Sequence, residues 1–482
     1  MDNKKRVAGN FLWRFFERFG AQGVTFIVSV KLAQILDPAV YGSIAKVSLI
    51  TTVVSVFVTC GLNDALVQKK DADDLDFSTV FYFNLVMCVS LYALMFFTAP
   101  LIAGFFGRSD LTWPIRGLSL ILICGGVRNI QTAYVSRNLL FKRFFFATLG
   151  GTIMAAVVGI WMAVKGYGVW ALIVQNLVNM TMDTIILWIT VKWRPKKMFS
   201  FERLKELFSF AWKLMASSLI DTVYNKLYQF VIAKKYTDED LAFFNKGDTL
   251  PGLLVTNINS ATDSVLLPVM SAEQSNPERV KETTRRAIQV SSFIIMPMMA
   301  GLAACAVPGV RFLIKEKWLP CVPYLQMFCY VYAFYCVHTA NLNAIKALGR
   351  SDLFLKLEII KKCVGITLLL ITMRYGVMAM AVGTMISSTL SQLINSWPNK
   401  KLLNYRYLHQ LTDMLPQILL SLGMAAVVYC VQFLGLPDLL TLLIQIPLGV
   451  GLYVGGAKLF KLEAYDYSLS VVKSLFSKKQ AE

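Results

Sequence analysis

Apolar runs of roughly 20 residues fill this chain almost from end to end, and a run of that length spans the hydrocarbon core of a bilayer. Fourteen are legible: 11–36, 43–67, 79–105, 115–135, 146–164, 169–191, 207–232, 241–269, 287–313, 323–345, 355–373, 377–394, 411–433 and 439–459. They predict an all-α polytopic membrane protein of about 14 transmembrane helices. Composition agrees, with 56% hydrophobic and only 16% charged residues, against about 25% charged in soluble chains. The net charge is +19. In a soluble chain that balance would suggest nucleic acid. Here basic loops facing anionic lipid headgroups explain it, and no nucleic-acid partner is expected.

Loop charge sets the orientation. With the N-terminus in the cytoplasm and sides alternating, roughly 31 basic residues fall in inside segments and about nine outside. Each successive inside segment is basic, so both termini are expected in the cytoplasm. Lys4, Lys5 and Arg6 look like the start of a signal peptide, but Arg14, Glu17 and Arg18 interrupt the apolar run behind them, and the first helix is expected to stay. Outer loops are short and leave no room for a soluble catalytic domain. The nine cysteines, Cys60, Cys88, Cys124, Cys305, Cys321, Cys329, Cys336, Cys363 and Cys430, form no CxxC pair and read as small apolar residues. With two histidines, His338 and His409, no metal site is expected.

The chain divides into two similar halves. "FLWRF" (11–15) matches "FAWKL" (210–214), and "LDPAVYGSIAK" ending at Lys46 matches "YTDEDLAFFNK" ending at Lys246. The organisation read from this is an N-lobe of helices 1–6 (1–192), a cytoplasmic amphipathic linker (193–206), a C-lobe of helices 7–12 (207–398), helices 13–14 (409–460) and a cytoplasmic tail (461–482). Phe199, Phe201, Leu204 and Phe208 among basic residues predict a short interfacial helix in the linker. Both halves start inside, so the repeat is parallel, and a substrate site is expected between lobes.

Charges inside the spans carry the functional reading. A charged side chain near the bilayer centre costs about 3 kcal/mol or more, so such residues usually face a wet interior. Arg14, Arg18, Lys31, Lys46, Arg128, Lys226 and Lys246 are the candidate substrate-binding residues, and a mostly cationic interior points to an anionic cargo. Arginine offers a planar fork to phosphate oxygens and lysine a compact point charge. Arg14 and Arg18, four apart, share a helix face. Snorkelling to headgroups is the plainer alternative for Arg14, Arg18, Lys31 and Lys46. Asp64, Asp183, Asp221, Asp248 and Asp263 are candidates for coupling to H+ or Na+, with pairing to a cation as the plainer alternative. Four aspartates in "KKDADDLD" (69–76) invite a metal-binding DxD reading, but such a run also caps a helix. No phosphate loop, nucleophile elbow or HExxH motif is present, and no cofactor is expected.

Several segments resemble a known family. They are "LDPAVYG" (36–42), "GLNDALVQKKD" (61–71), "SRNLLFKRF" (136–144), "WRPKKMFSFERLKELFSFAWKL" (193–214) and "ALGRSDLFLKLEIIKK" (347–362). Together they resemble the Wzx-type lipid-linked oligosaccharide flippases of the multidrug/oligosaccharidyl-lipid/polysaccharide exporter superfamily, in the colanic acid and teichuronic acid exporter branch. The resemblance implies two six-helix lobes forming a V around a central cavity, plus a C-terminal helix pair. It implies transport of a sugar on undecaprenyl pyrophosphate from inner to outer leaflet of a bacterial cytoplasmic membrane, by alternating access. It also implies proximity to polysaccharide polymerase and glycosyltransferase machinery, with membrane lipids as surroundings. Related lipid II flippases use cavity arginines on early helices, and Arg14, Arg18 and Lys31 are the counterparts by region. Two other readings are a cation antiporter of the same superfamily, which wants an acidic cavity, and a membrane polymerase or ligase, which wants a catalytic polar cluster.

Overall fold

The computed structural model describes residues 20–59, 61–467 and 469–470; Arg14 and Arg18 lie outside them. The described chain is helical and without strands. Helix α1 covers 20–35, followed by α2 (Pro38–Thr59), α3 (Leu62–Gln68), α4 (Asp74–Phe105), α5 (Thr112–Ser119), α6 (Ile121–Arg137), α7 (Phe141–Val164) and α8 (Val169–Thr190). Then come α9 (Phe201–Lys235), α10 (Asp238–Ala272), α11 (Pro277–Ala304), α12 (Ala306–Ile314), α13 (Val322–Ala333) and α14 (Tyr335–Ala347). The last four long helices are α15 (Ser351–Thr372), α16 (Val377–Leu402), α17 (Tyr407–Cys430) and α18 (Asp438–Leu459). Nine described stretches are long and apolar enough to cross a membrane. The remaining expected spans fall on α1, on α9, α10 and α15, which are more polar, and on α13–α14, which breaks at Phe334.

Helix order repeats along the chain. Turn 36–37 precedes α2 as turn 236–237 precedes α10, 200 residues later. A short 3-10 turn (Ser109–Leu111) leads into the broken pair α5–α6, as another (Glu316–Cys321) leads into α13–α14. Gly168 (φ 54°) precedes α8 and Gly376 (φ 102°) precedes α16, each taking a backbone angle that side-chain-bearing residues avoid.

Two compact units emerge, residues 1–242 and 243–482. Their boundary lies later than the expected linker because α9 packs on α2, α3 and α4 of the first unit. That linker is also not helical at its start. Residues 191–200 are not helical, and Pro195 disfavours helix in the residue before it. Ser200 then caps α9, its side chain accepting from the Arg203 N–H at 3.3 Å, and α9 runs 35 residues without a break, about 50 Å at 1.5 Å per residue. Phe199 and Phe201 stay exposed at this end.

The motif at 61–76 is built from caps. Gly61 stands at φ 68° and ends α2, and a Cβ there would lie 2.9 Å from the Ala211 carbonyl oxygen of α9. Arg137 donates to the carbonyls of Leu66 (2.8 Å), Lys69 (2.6 Å) and Lys70 (2.6 Å), closing the C-terminus of α3. Asp73 and Asp76 form a reciprocal capping box at α4; the Asp76 N–H donated to Asp73 holds that carboxyl below its ordinary range. Asp74 accepts from the Trp193 indole (2.9 Å) and pairs with Lys196 (2.5 Å). Buried Asp76 pairs with Lys69 at 3.1 Å. Three of the four aspartates in the run are therefore spent on capping α4 and holding the linker to it.

Gly61→Val joins a left-handed backbone cost of about 1–2 kcal/mol to a collision with α9. The apparent melting temperature of the purified protein in detergent is expected to fall by several degrees, with Gly61→Asn milder because asparagine tolerates that backbone.

Candidate functional site

Besides the capped aspartate run at 73–76, charged side chains in the first unit gather at two further places. At the end expected to face outside, the corner between α4 and α5 meets the first turns of α2 and α10. Thr237 and Asp240 cap α10 reciprocally, the Asp240 N–H donating to Thr237 Oγ1 (3.1 Å) and the Thr237 N–H to Asp240 (3.3 Å). The cap leaves the Asp238 carboxylate to face α2. Ser43 Oγ donates to Asp238 Oδ2 at 2.6 Å, Lys46 Nζ lies 2.5 Å from Oδ1, and Arg108 Nη1 lies 2.7 Å from Oδ2. Lys46 is 4% exposed and Asp238 5%. Arg108 also grips Asp110 with two bonds, 2.9 and 2.8 Å. The approach is possible because residue 42 is glycine: a Cβ there would collide with the Asp238 backbone. A cavity of about 370 Å³ adjoins this cluster, lined by Ser43, Arg108, Asp110, Pro114 and Trp170 among others.

Arg128 on α6 pairs with Asp183 on α8 at 2.6 Å. Asp183 is 5% exposed. Gly151 of α7 lets the Asp183 turn come close, since a Cβ there would sit 3.2 Å from the Asp183 nitrogen.

The seven candidate cations thus separate. Lys46 and Arg128 are held by carboxylates. Lys246, on α10 in the second unit, has its ammonium 5.5 Å from the Trp318 ring centre, a cation–π contact. Lys31 is exposed on α1 and Lys226 half-buried on α9, and neither joins an ion pair among the described residues. Arg14 and Arg18 lie outside the description.

The candidate acids are largely committed too. Asp64 sits exposed in the first turn of α3, where a helix favours negative charge. Asp221 is exposed on α9. Asp248 accepts from the Tyr332 hydroxyl at 3.0 Å and Asp263 from the Asn343 amide at 2.7 Å. Between them Asn259 accepts from Thr339 at 2.6 Å. Positions 248, 259 and 263 share one face of α10, so this ladder fastens it to α13 and α14. Asp183, Asp248 and Asp263 thus each have one carboxylate oxygen engaged by a neighbour.

Sequence reasoning passed over Asp238 and an amide cluster in the second unit. Asn341 donates to Gln410 (2.8 Å) and Ser396 (3.2 Å), and Asn399 donates to Asn341 (2.6 Å). All four are buried and join α14, α16 and α17. Asparagine and glutamine inside apolar spans were the available signal.

Residues 31–323 match the family model described as "Polysaccharide biosynthesis protein". The chain belongs to that family. Curated relatives include the succinoglycan biosynthesis transport protein ExoT of Rhizobium meliloti, 23% identical over 67% of this chain and 66% of ExoT. The teichuronic acid biosynthesis protein TuaB of Bacillus subtilis is 22% identical over 63% of each chain, and the lipopolysaccharide biosynthesis protein WzxC of Escherichia coli is 23% identical over 78% of this chain and 76% of WzxC. Against the first two, the chain spans just under two thirds of their length. Among solved structures, the lipid II flippase MurJ in an inward closed conformation is similar with a TM-score of 0.75, 18% identity and 93% of this chain and 98% of MurJ covered. A MATE multidrug resistance transporter is similar with a TM-score of 0.60, 14% identity and 79% and 94% coverage. The chain shares the fold of these two proteins.

Removing one member of a buried ion pair strands the other, at about 3 kcal/mol. Arg128→Gln and Asp183→Asn are each expected to lower the melting temperature of the detergent-solubilised protein, and the double substitution to recover most of the loss. Additive losses would show that the two groups do not depend on each other.

Proposed function

We propose that this chain carries an anionic, lipid-linked oligosaccharide from the inner to the outer leaflet of a bacterial cytoplasmic membrane. It acts as a carrier and not as an enzyme, with both termini in the cytoplasm. The observation that carries the reading is the uneven fate of the intramembrane cations. Ion pairs consume Lys46 and Arg128, whereas Lys31 and Lys226 join none among the described residues. A lysine held inside a membrane protein without a counter-charge is poised for an anionic guest. The acids that an antiporter of cations would use are mostly committed to local bonds or stand at a helix end. Relatives named for succinoglycan transport, teichuronic acid biosynthesis and lipopolysaccharide biosynthesis support a polyprenyl-pyrophosphate sugar as cargo, as does the fold shared with a lipid II flippase.

The head group crosses among the cations while the tail stays in lipid. Few fixed charges suffice, because each must replace phosphate hydration without becoming a trap. Polymerase and glycosyltransferase machinery would supply and consume the cargo.

Purified protein reconstituted into vesicles tests this, scoring leaflet exchange of a lipid-pyrophosphate sugar. Lys31→Gln and Lys226→Gln are each expected to slow exchange about tenfold, the loss of one charge-assisted contact, with the melting temperature unchanged. Exchange of a cationic dye driven by a proton or sodium gradient, with no lipid exchange, would establish the antiporter reading instead.

A further inference from the structure

The Asp238 cluster has a property that an inert structural tie would not need. Its groups have second partners waiting. Arg108 keeps both bonds to Asp110 if Asp238 leaves. Asp238 stands in the first turn of α10, where unsatisfied backbone N–H groups and the helix dipole favour a carboxylate. Arg108 bridges the two carboxylates, so Asp110 stands one guanidinium away from the acid that holds Lys46. The four charges, Lys46, Arg108, Asp110 and Asp238, sum to zero while Asp238 is in place; once it leaves, Lys46 and Arg108 share the Asp110 carboxylate and one positive charge is left for water to solvate. Water has a way in, since Ser43, Arg108 and Asp110 line the adjoining cavity.

We propose that Ser43, Lys46, Arg108, Asp110 and Asp238 form a two-position latch at the outer end, in which Asp238 is the closed-state partner of the cations and Asp110 their open-state partner. Asp238 and Asp110 are positioning residues: they touch the cations and not the cargo. In the closed position the first turn of α10 is pinned to α2, with Gly42 seated against the Asp238 backbone. In the open position that turn leaves, Lys46 swings to Asp110, and Arg108 loses one carboxylate but keeps the other. A buried ion pair suits this task, because it contributes little net stability over an apolar contact yet enforces one geometry at a time. The latch rests on the transport reading above for its purpose and on the proposed orientation for the word outer.

Two isosteric substitutions separate a latch from a tie. Ala242, one turn below Asp238 on α10, is 3% exposed, and Ala242→Cys places a thiol there. The probe is a membrane-impermeant maleimide applied to right-side-out vesicles holding the full chain, with labelling counted above that of the parent protein. Asp238→Asn removes the closed-state partner and is expected to raise labelling about tenfold. Asp110→Asn removes the open-state partner and is expected to lower it below the level of Ala242→Cys alone. Melting temperature is read for both variants, and restoring the pairing with Asp238→Glu should return labelling toward the level of Ala242→Cys alone. Labelling that rises in both variants, or changes in neither, overturns the latch. Opposite responses seen only in inside-out vesicles would keep the latch and overturn the orientation. Opposite responses with no lipid-sugar exchange would keep the latch and overturn the cargo.

Discussion

A bilayer does not tolerate a lone charge, and that intolerance arranges the ionic groups of this protein. Buried Asp238 draws Ser43, Lys46 and Arg108 onto one carboxylate. Buried Asp183 draws Arg128. Each acid decides which helices meet: the first joins α2, the α4–α5 corner and the first turn of α10, and the second joins α6 to α8. Two glycines, Gly42 and Gly151, supply the room by which those helices approach closely enough for the charges to touch. Lys31 and Lys226 differ from these groups in joining no ion pair among the described residues.

The second unit relies more on hydrogen bonds between polar side chains. Amides and hydroxyls of Asn341, Ser396, Asn399 and Gln410 satisfy one another across α14, α16 and α17, and α10 is fastened through Asp248, Asn259 and Asp263. Hydrogen bonds between membrane helices contribute about 0.6 kcal/mol each on average, so the network works by number and by fixing register. The proposed latch in the first unit is built on ion pairs, and the amide cluster in the second on uncharged side chains. Ionic contacts exchange partners at a cost that water access lowers, whereas amide clusters without such access hold their geometry.

Helix positions were legible because hydrophobic runs and turn residues report on the same alternation. So were the turns at 36–37 and 236–237, whose aspartate, threonine and neighbouring proline are local signals. Partner choice was not. Lys46 read as a cavity cation because its acid lies 192 residues away along the chain, in a segment, "YTDED", that looked like an ordinary helix start. Local capping does account for Thr237 and Asp240, and only the close packing at Gly42 shows that Asp238 has another task. The helix expected in the linker starts late for a local reason that was available: Pro195 and the Ser200 cap push its first turn to Phe201. The aspartate run at 69–76 was open to two readings, and the capping box with the Trp193 and Lys196 contacts accounts for it without a metal.

Lys46 and Lys246 close the comparison of the halves. They stand 200 residues apart, each on the helix that follows a short turn, and the repeat makes them equivalents. Their surroundings differ in kind. Lys46 is neutralised by a carboxylate, and Lys246 faces the Trp318 ring. A carboxylate can be exchanged for another carboxylate, as Asp110 stands ready to be. An indole ring offers a fixed face with no charge to give up. If both halves descend from one unit, a single ancestral lysine has taken two roles: a movable contact in the first half and a packed one in the second.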